Sequence, residues 1–203
     1  MKTSIKSAFL LLAGFMIFTS FAPPAYKVGD NAKDFSLKNV NGKMVSLANY
    51  PDAKGFIVVF TCNHCPYAKA YEQRIMDLDK NWKPKGYPVI AISANDPASV
   101  PDDSYDNMVK RAKEKDYTFP YLFDESQSVA RTFGAMRTPQ VYVLQKTEKG
   151  MEVRYIGAID DNTEDPAQVQ HHYVDDAVGA LVKGTPVPVT ETKAVGCTIK
   201  WKS

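Results

Sequence analysis

The chain has 203 residues, of which 44% are hydrophobic and 24% charged. That balance suits one well-buried globular domain and excludes a disordered or collagen-like chain. Basic and acidic residues number 25 and 23, so no strong field marks the chain for nucleic acid or an anionic surface.

Lys2 and Lys6 precede an apolar run over residues 8–21, followed by Ala22-Pro23-Pro24. A basic end, a short apolar core and a small-residue exit are the layout of a secretory signal. The run falls short of the roughly 20 residues that a membrane span needs. Residues 1–22 are therefore expected to be a cleaved signal peptide, with residues 23–203 a single domain exported to the bacterial periplasm. Left uncleaved, residues 8–21 would serve as an anchor. Cleavage removes two lysines and no acid, leaving 23 residues of each sign. The expected partners of a neutral domain are proteins or small molecules, with no nucleic acid and no stable membrane span. No cysteine precedes Cys62, so a lipoprotein anchor has no acceptor.

From Lys27 onward the segments alternate in type. Residues 34–37 and 44–47 flank Asn41-Gly42, a strong hairpin signal. Residues 55–60 (GFIVVF) form a β-branched apolar run that predicts a buried strand. Residues 66–82 predict a helix, with Tyr67, Tyr71, Ile75 and Leu78 at helical spacing and Pro66 suited to the first turn. A second buried strand is predicted over 88–93 and an amphipathic helix over 104–115. A short strand over 121–123, a short helix over 127–133 and a strand over 141–144 follow. Residues 152–156 are expected to pair with that strand across Lys149-Gly150. A last helix is predicted over 168–183, then a tail over 185–203. This alternation predicts an α/β domain whose mixed sheet is covered by helices on both faces.

The chemistry centres on Thr61-Cys62-Asn63-His64-Cys65-Pro66. Cys62 and Cys65 lie between a predicted strand and a predicted helix. A helix start carries partial positive charge and free N–H groups, which stabilise a thiolate. A thiolate is the attacking species in disulfide exchange. The two-residue spacer lets Cys65 reach the Cys62 sulfur and resolve a mixed disulfide, so Cys62 and Cys65 are the candidate catalytic residues. No dissociable cofactor is then needed beyond the redox-active disulfide, although an upstream redox partner must recycle the pair.

His64 reads in two ways: a cation that depresses the Cys62 thiol, or a solvent-facing imidazole. The rival explanations of the pair are a structural disulfide, which adds little over so short a loop, and half a zinc site. The adjacent His171 and His172, if helical, diverge by about 100° and do not chelate together. No metal is expected. Thr138-Pro139 opens a predicted strand, where proline costs no ladder bond. Cys197 is either a third redox thiol or a buried small hydrophobe in a tail that docks through Ile199 and Trp201. Asp160, Asp161 and Asn162 form a polar turn or a weak cation site.

These residues resemble the thioredoxin-like superfamily, in its redoxin (AhpC/TSA-like) branch of peroxiredoxins and periplasmic TlpA/ResA-type proteins. Val28-Gly29-Asp30 through Leu37, with Asn41-Gly42-Lys43 and Val45-Ser46-Leu47, looks like the leading hairpin of that branch. The segment from Phe60 to Tyr67 looks like a peroxiredoxin-like subgroup bearing Cys-x-x-Cys. Ile159-Asp160-Asp161 and Gly196 to Trp201 are similar to the same subgroup. The resemblance implies a thioredoxin-like fold, a cis Pro139 beside the cysteines, and a Thr138 backbone that binds an extended substrate. It implies Cys62 as nucleophile and Cys65 as resolving thiol.

A second register is available. Peroxiredoxins carry Thr-x-x-Cys-Pro, in which the cysteine attacks peroxide. Cys65-Pro66 matches that pair, with Cys62 in the threonine position. Arg137 resembles the peroxiredoxin arginine that favours the thiolate, although it also reads as a surface cation, and subgroup relatives often carry cysteine there. Thioredoxins keep a buried acid near the disulfide, whereas residues 55–60 contain none. The proton acceptor must then be water, His64 or an acid elsewhere. The expected function is disulfide exchange with protein substrates in the cell envelope. Its rivals are a thiol peroxidase acting on hydroperoxides and a non-enzymatic module that holds a metal or a haem-delivery partner.

Overall fold

The structure, a computed structural model, describes residues 25–203. The expected signal segment lies outside the described residues. Ten strands and four helices follow in order: β1 (Asn31–Ala32), β2 (Ser36–Asn39), β3 (Met44–Ser46), β4 (Gly55–Phe60), α1 (Pro66–Trp82), β5 (Val89–Ser93), α2 (Tyr105–Glu114), β6 (Tyr121–Phe123), α3 (Ser128–Phe133), β7 (Arg137–Thr138), β8 (Gln140–Thr147), β9 (Gly150–Gly157), α4 (Tyr173–Lys183) and β10 (Cys197–Thr198). Eight strands form one sheet in the order β1-β9-β8-β4-β5-β6-β2-β3, and β10 pairs with β7. β4 lies parallel to β5 and antiparallel to β8, so the sheet is mixed. This is the α/β, thioredoxin-like arrangement that the resemblance implies.

β4 shows why the run GFIVVF had to be central. Every residue in it is buried. Phe56, Val58 and Phe60 face one core with α3, the leading hairpin and Ile199. Ile57 and Val59 face the other core with Tyr71, Ile75 and Leu78 of α1, Met108 of α2 and Val174, Ala177 and Val178 of α4. A strand apolar on both sides has no face to offer water, so helices must cover both. On the second face, Trp82 donates its indole N–H to Asp175 at 2.6 Å and ties α1 to α4.

Several boundaries differ from expectation. The first hairpin pairs Ser36–Asn39 with Met44–Ser46, and Gly42 takes φ +83°, the left-handed conformation that an Asn-Gly turn needs. β8 and β9 run the full length of their hairpin, with a register shift between Val143 and Leu144.

The expected helix over 168–183 is shorter and begins at Tyr173. Its first part is a single 3-10 turn, Pro166–Gln168, held by the Asp165 carboxylate accepting from the Ala167 N–H. Asp161 then captures the Gln170 N–H at 3.0 Å, which opens the chain before α4. His171 and His172 therefore precede the helix, and their expected helical separation does not apply. Asp160 does not stand free for a cation: it accepts from Arg74 and the Tyr71 hydroxyl, each at 2.7 Å. Among the described residues, no helix is long and apolar enough to cross a membrane.

One close approach fixes the edge of β4. A Cβ on Gly55 would strike the Leu144 carbonyl oxygen and the Tyr87 ring. Gly55→Ala is expected to lower the unfolding free energy by about 1–3 kcal/mol through overpacking, measured by urea denaturation.

Candidate active site

The two cysteines lie where the sequence places them, between β4 and α1. Cys65 is the residue that opens α1, and Pro66 occupies its first turn. The chain from Thr61 to Cys65 is a tight loop, and its shape is set from outside. The carboxylate of Asp103, at the end of the 3-10 turn Pro101–Asp103, is fully buried beneath it. Its Oδ1 accepts from the backbone N–H groups of Asn63 (2.7 Å) and His64 (3.1 Å). Its Oδ2 lies 2.5 Å from His64 Nδ1 and accepts from the Asn95 amide at 2.7 Å. The Asn63 side chain closes the loop from the other side: its amide donates to the Asp102 carbonyl (2.9 Å), and its oxygen accepts from the buried Tyr121 hydroxyl (3.0 Å). Asp103 is thus the acid that β4 lacks. A lone Asp after Pro-Asp in a loop gives no local signal of such a role.

The sulfurs lie on the Thr138–Pro139 peptide, which is cis. Cys62 Sγ is 3.3 Å from the Thr138 hydroxyl and 3.6 Å from His64 Nδ1. Cys65 Sγ lies 3.3 Å from the Thr138 carbonyl oxygen. All three cysteines are free thiols. Cys62 and Cys65 are 3% and 0% exposed, whereas Cys197 is half-buried and packs on the cluster of Cys62, Cys65 and Ala68.

The thiols titrate together. The hydrogen bond from Cys62 pulls the Cys65 thiol down to about 4 against the upward push of burial, helped by Cys197 and by the Ala68 N–H at the start of α1. The same shared hydrogen bond pushes Cys62 far up, and burial and the Asp103 charge push it further. The two thiols therefore titrate as a coupled pair, one pulled down as the other is pushed up. The expected depression of Cys62 by His64 is not what sets this balance: Asp103 holds the ring, and its negative charge acts on Cys62 in the opposite sense.

Arg137 is placed away from the pair. Its guanidinium is exposed and donates to the Gly196 carbonyl at 3.0 Å. The Thr138 backbone is not open to a partner, because β10 already pairs with it, Cys197 opposite Thr138. The tail docks through Ile199, 3% exposed, and through Trp201 stacked beneath Arg131. For a metal, Cys62, His64 and Asp103 offer donor atoms within 4.8 Å of one another. A thiolate, an imidazole and a carboxylate suit a transition metal, although both Asp103 oxygens already hold hydrogen-bond partners.

Two outcomes follow from this geometry. Asp103→Ala leaves two backbone N–H groups and a ring nitrogen without their acceptor. The unfolding free energy is expected to fall by about 3 kcal/mol, measured by chemical denaturation. The pH outcome rests on the depressed Cys65 thiol. Ultraviolet thiolate absorbance of the reduced protein is expected to show one thiolate at neutral pH, lost as pH falls through about 4. The sign for stability is the same: a depressed acid favours the folded state above its unfolded value and loses that contribution on acidification. Cys62→Ser is expected to move the midpoint upward, because the serine hydroxyl is a poorer partner for the thiolate.

Residues 28–162, about two thirds of the chain, match the AhpC/TSA family. The crystal structure of an uncharacterized conserved protein from Geobacillus kaustophilus superposes with a TM-score of 0.79 at 35% identity, covering 90% of this chain and 94% of that one. A thiol-disulfide oxidoreductase ResA from Oceanobacillus iheyensis is 29% identical over 124 residues, covering 59% of this chain. That alignment spans 60% of the relative's length. A chloroplastic peroxiredoxin Q from Arabidopsis thaliana is 32% identical over 127 residues, 58% of this chain and 54% of that protein. Thioredoxin-family structures at 20% identity share the fold alone. The chain belongs to the AhpC/TSA family and has a thioredoxin-like fold.

Proposed function

We propose that the protein is a thiol–disulfide oxidoreductase in which Cys62 attacks and Cys65 resolves. The observation that carries this reading is two free thiols at the start of α1, both packed on Thr138 beside the cis peptide. Cys62 passes its proton to Cys65, and the resulting Cys62 thiolate attacks one sulfur of a substrate disulfide, whose bond breaks as a mixed disulfide forms. The first substrate thiolate leaves with the electron pair. Cys65 then attacks the Cys62 sulfur, the second substrate thiolate leaves, and the protein holds a Cys62–Cys65 disulfide. One disulfide is reduced and one is formed, and the leaving thiolates take protons from water. The chemistry runs equally in reverse, and a redox partner must return the pair to its starting state.

His64 and Asp103 act as positioning residues in this reading. They hold the loop so that the Cys62 sulfur faces the Thr138 hydroxyl. Thr138, just before the cis peptide to Pro139, forms the wall against which the pair packs. The substrates are protein thiols and disulfides, and the basic-then-apolar start of the chain supports export to the cell envelope as their location.

Peroxide reduction is the second reading, favoured by the peroxiredoxin relatives and by the low-lying Cys65 thiol. Opposing it, the Arg137 guanidinium is engaged with the tail, and Cys65 is fully buried. Two rates decide between them: oxidation of the reduced protein by hydrogen peroxide, and reduction of a protein disulfide in the presence of a dithiol. Disulfide exchange is expected to be abolished in Cys62→Ser, with the peroxide rate no faster than that of a free thiolate. A peroxide rate far above that level makes the protein a peroxidase.

A further inference from the structure

Three sulfurs meet at this site, and the tail supplies the third. Cys197 packs against the buried cluster of Cys62, Cys65 and Ala68. Cys197 reaches it because β10 lies antiparallel to β7, with Cys197 opposite Thr138. The placement is built. Arg137 donates to the Gly196 carbonyl at 3.0 Å, and the Ile199 N–H donates to Met136 at 3.1 Å. The Lys200 N–H donates to Asn95 Oδ1, and the Lys200 carbonyl accepts from Gln127, each at 2.8 Å. A Cβ on Gly196 would strike the Thr138 carbonyl oxygen, so only glycine lets the tail backbone press this closely on the peptide before Pro139.

Exposure gives the arrangement a direction. Cys62 and Cys65 are buried, whereas Cys197 is half-buried. A redox partner that must reach a sulfur in line with the disulfide finds Cys197 first.

We propose that Cys197 is a third redox thiol that carries the disulfide from the buried pair to the surface. This inference rests on the Cys62–Cys65 pair being the redox couple. The Cys197 thiolate attacks Sγ of Cys65 in the Cys62–Cys65 disulfide. The Cys65–Cys197 bond forms as the Cys62–Cys65 bond breaks, and Cys62 leaves with the electron pair as a thiolate. The proton from Cys197 goes to water, and Cys62 takes one back. One disulfide replaces another, so no further oxidant is consumed. A dithiol on a redox partner then attacks the Cys197 sulfur, releases Cys65, and closes its own disulfide to free Cys197.

The electrostatics run in step with this order. In the reduced protein Cys197 is pushed up to about 11, by burial first and then by the hydrogen bond and charge of Cys65, against the pull of Lys200 and Arg137. Locking Cys65 into a disulfide removes both of its contributions, while the two cations remain. The tail thiol therefore becomes the better nucleophile in the state that offers it a disulfide to attack.

The test uses the full-length protein and its Cys62→Ser variant, with circular dichroism confirming the fold. Cys62→Ser is treated with oxidised glutathione, alkylated, digested and mapped by mass spectrometry. The expected product is a monomer with a Cys65–Cys197 linkage and no alkylated thiol. Under limiting oxidant, the wild type is expected to show Cys65 linked to Cys62 in part of the population and to Cys197 in the rest. In Cys197→Ala, reduction of the Cys62–Cys65 disulfide by a protein dithiol is expected to slow severalfold. A Cys62→Ser protein left as a glutathione adduct, or with both thiols alkylated, overturns the relay, as does wild-type reduction of Cys197→Ala. A wild type that forms no Cys62–Cys65 linkage overturns the redox-pair reading itself, a result distinct from failure of the relay alone.

Discussion

A carboxylate taken completely out of water must find its hydrogen bonds inside the protein, and Asp103 finds four of them at the redox loop. Two come from backbone N–H groups of the Cys-x-x-Cys spacer, one site faces the His64 ring, and one comes from Asn95. The spacer therefore cannot relax without stranding a buried charge. The position of both sulfurs, the orientation of His64 and the start of α1 all depend on that constraint. Asn95 extends it further, because its oxygen accepts the Lys200 N–H and so links the loop to the tail.

The second organising feature is that each thiol is another thiol's hydrogen-bond partner. In a dry site a sulfur anion is costly unless donors surround it. Cys65 has them: the Cys62 thiol, the Cys197 thiol and the Ala68 N–H. The same proximity that stabilises this anion places each outer sulfur within reach of the central one.

The tail gives the fold its departure from an open thioredoxin-like edge. β10 pairs with the short strand before Pro139, and Ile199 inserts into the core beside Phe133 and Phe60. That edge is filled from within the chain, so an extended partner cannot add a strand there while the tail is docked. Arg137 belongs to this lock. Its position just before Thr138-Pro139 suggested a helper for the reactive thiolate, but its guanidinium closes on the tail carbonyl of Gly196.

Much of the fold was legible in the chain order. The run 55–60 is apolar at every position, the helix over 66–82 opens with proline, and Asn41-Gly42 marks its own turn, so each element carries its signal in neighbouring residues. The Cys-x-x-Cys pair was legible for the same reason, since its meaning depends only on the strand before it and the helix after it. The helix expected over 168–183 failed because Asp161 intercepts the Gln170 N–H, a competition that periodicity does not record. Asp103, forty residues from the loop it holds, had no local signature, and neither did the meeting of Cys197 with Cys65. Sequence by itself determined the layer architecture and the placing of the Cys-x-x-Cys pair between strand and helix, because both follow from short-range patterns of burial and spacing. Tertiary structure alone decided which acid supports the site, where Arg137 points and which third sulfur joins the pair, because those depend on residues that only chain folding brings together.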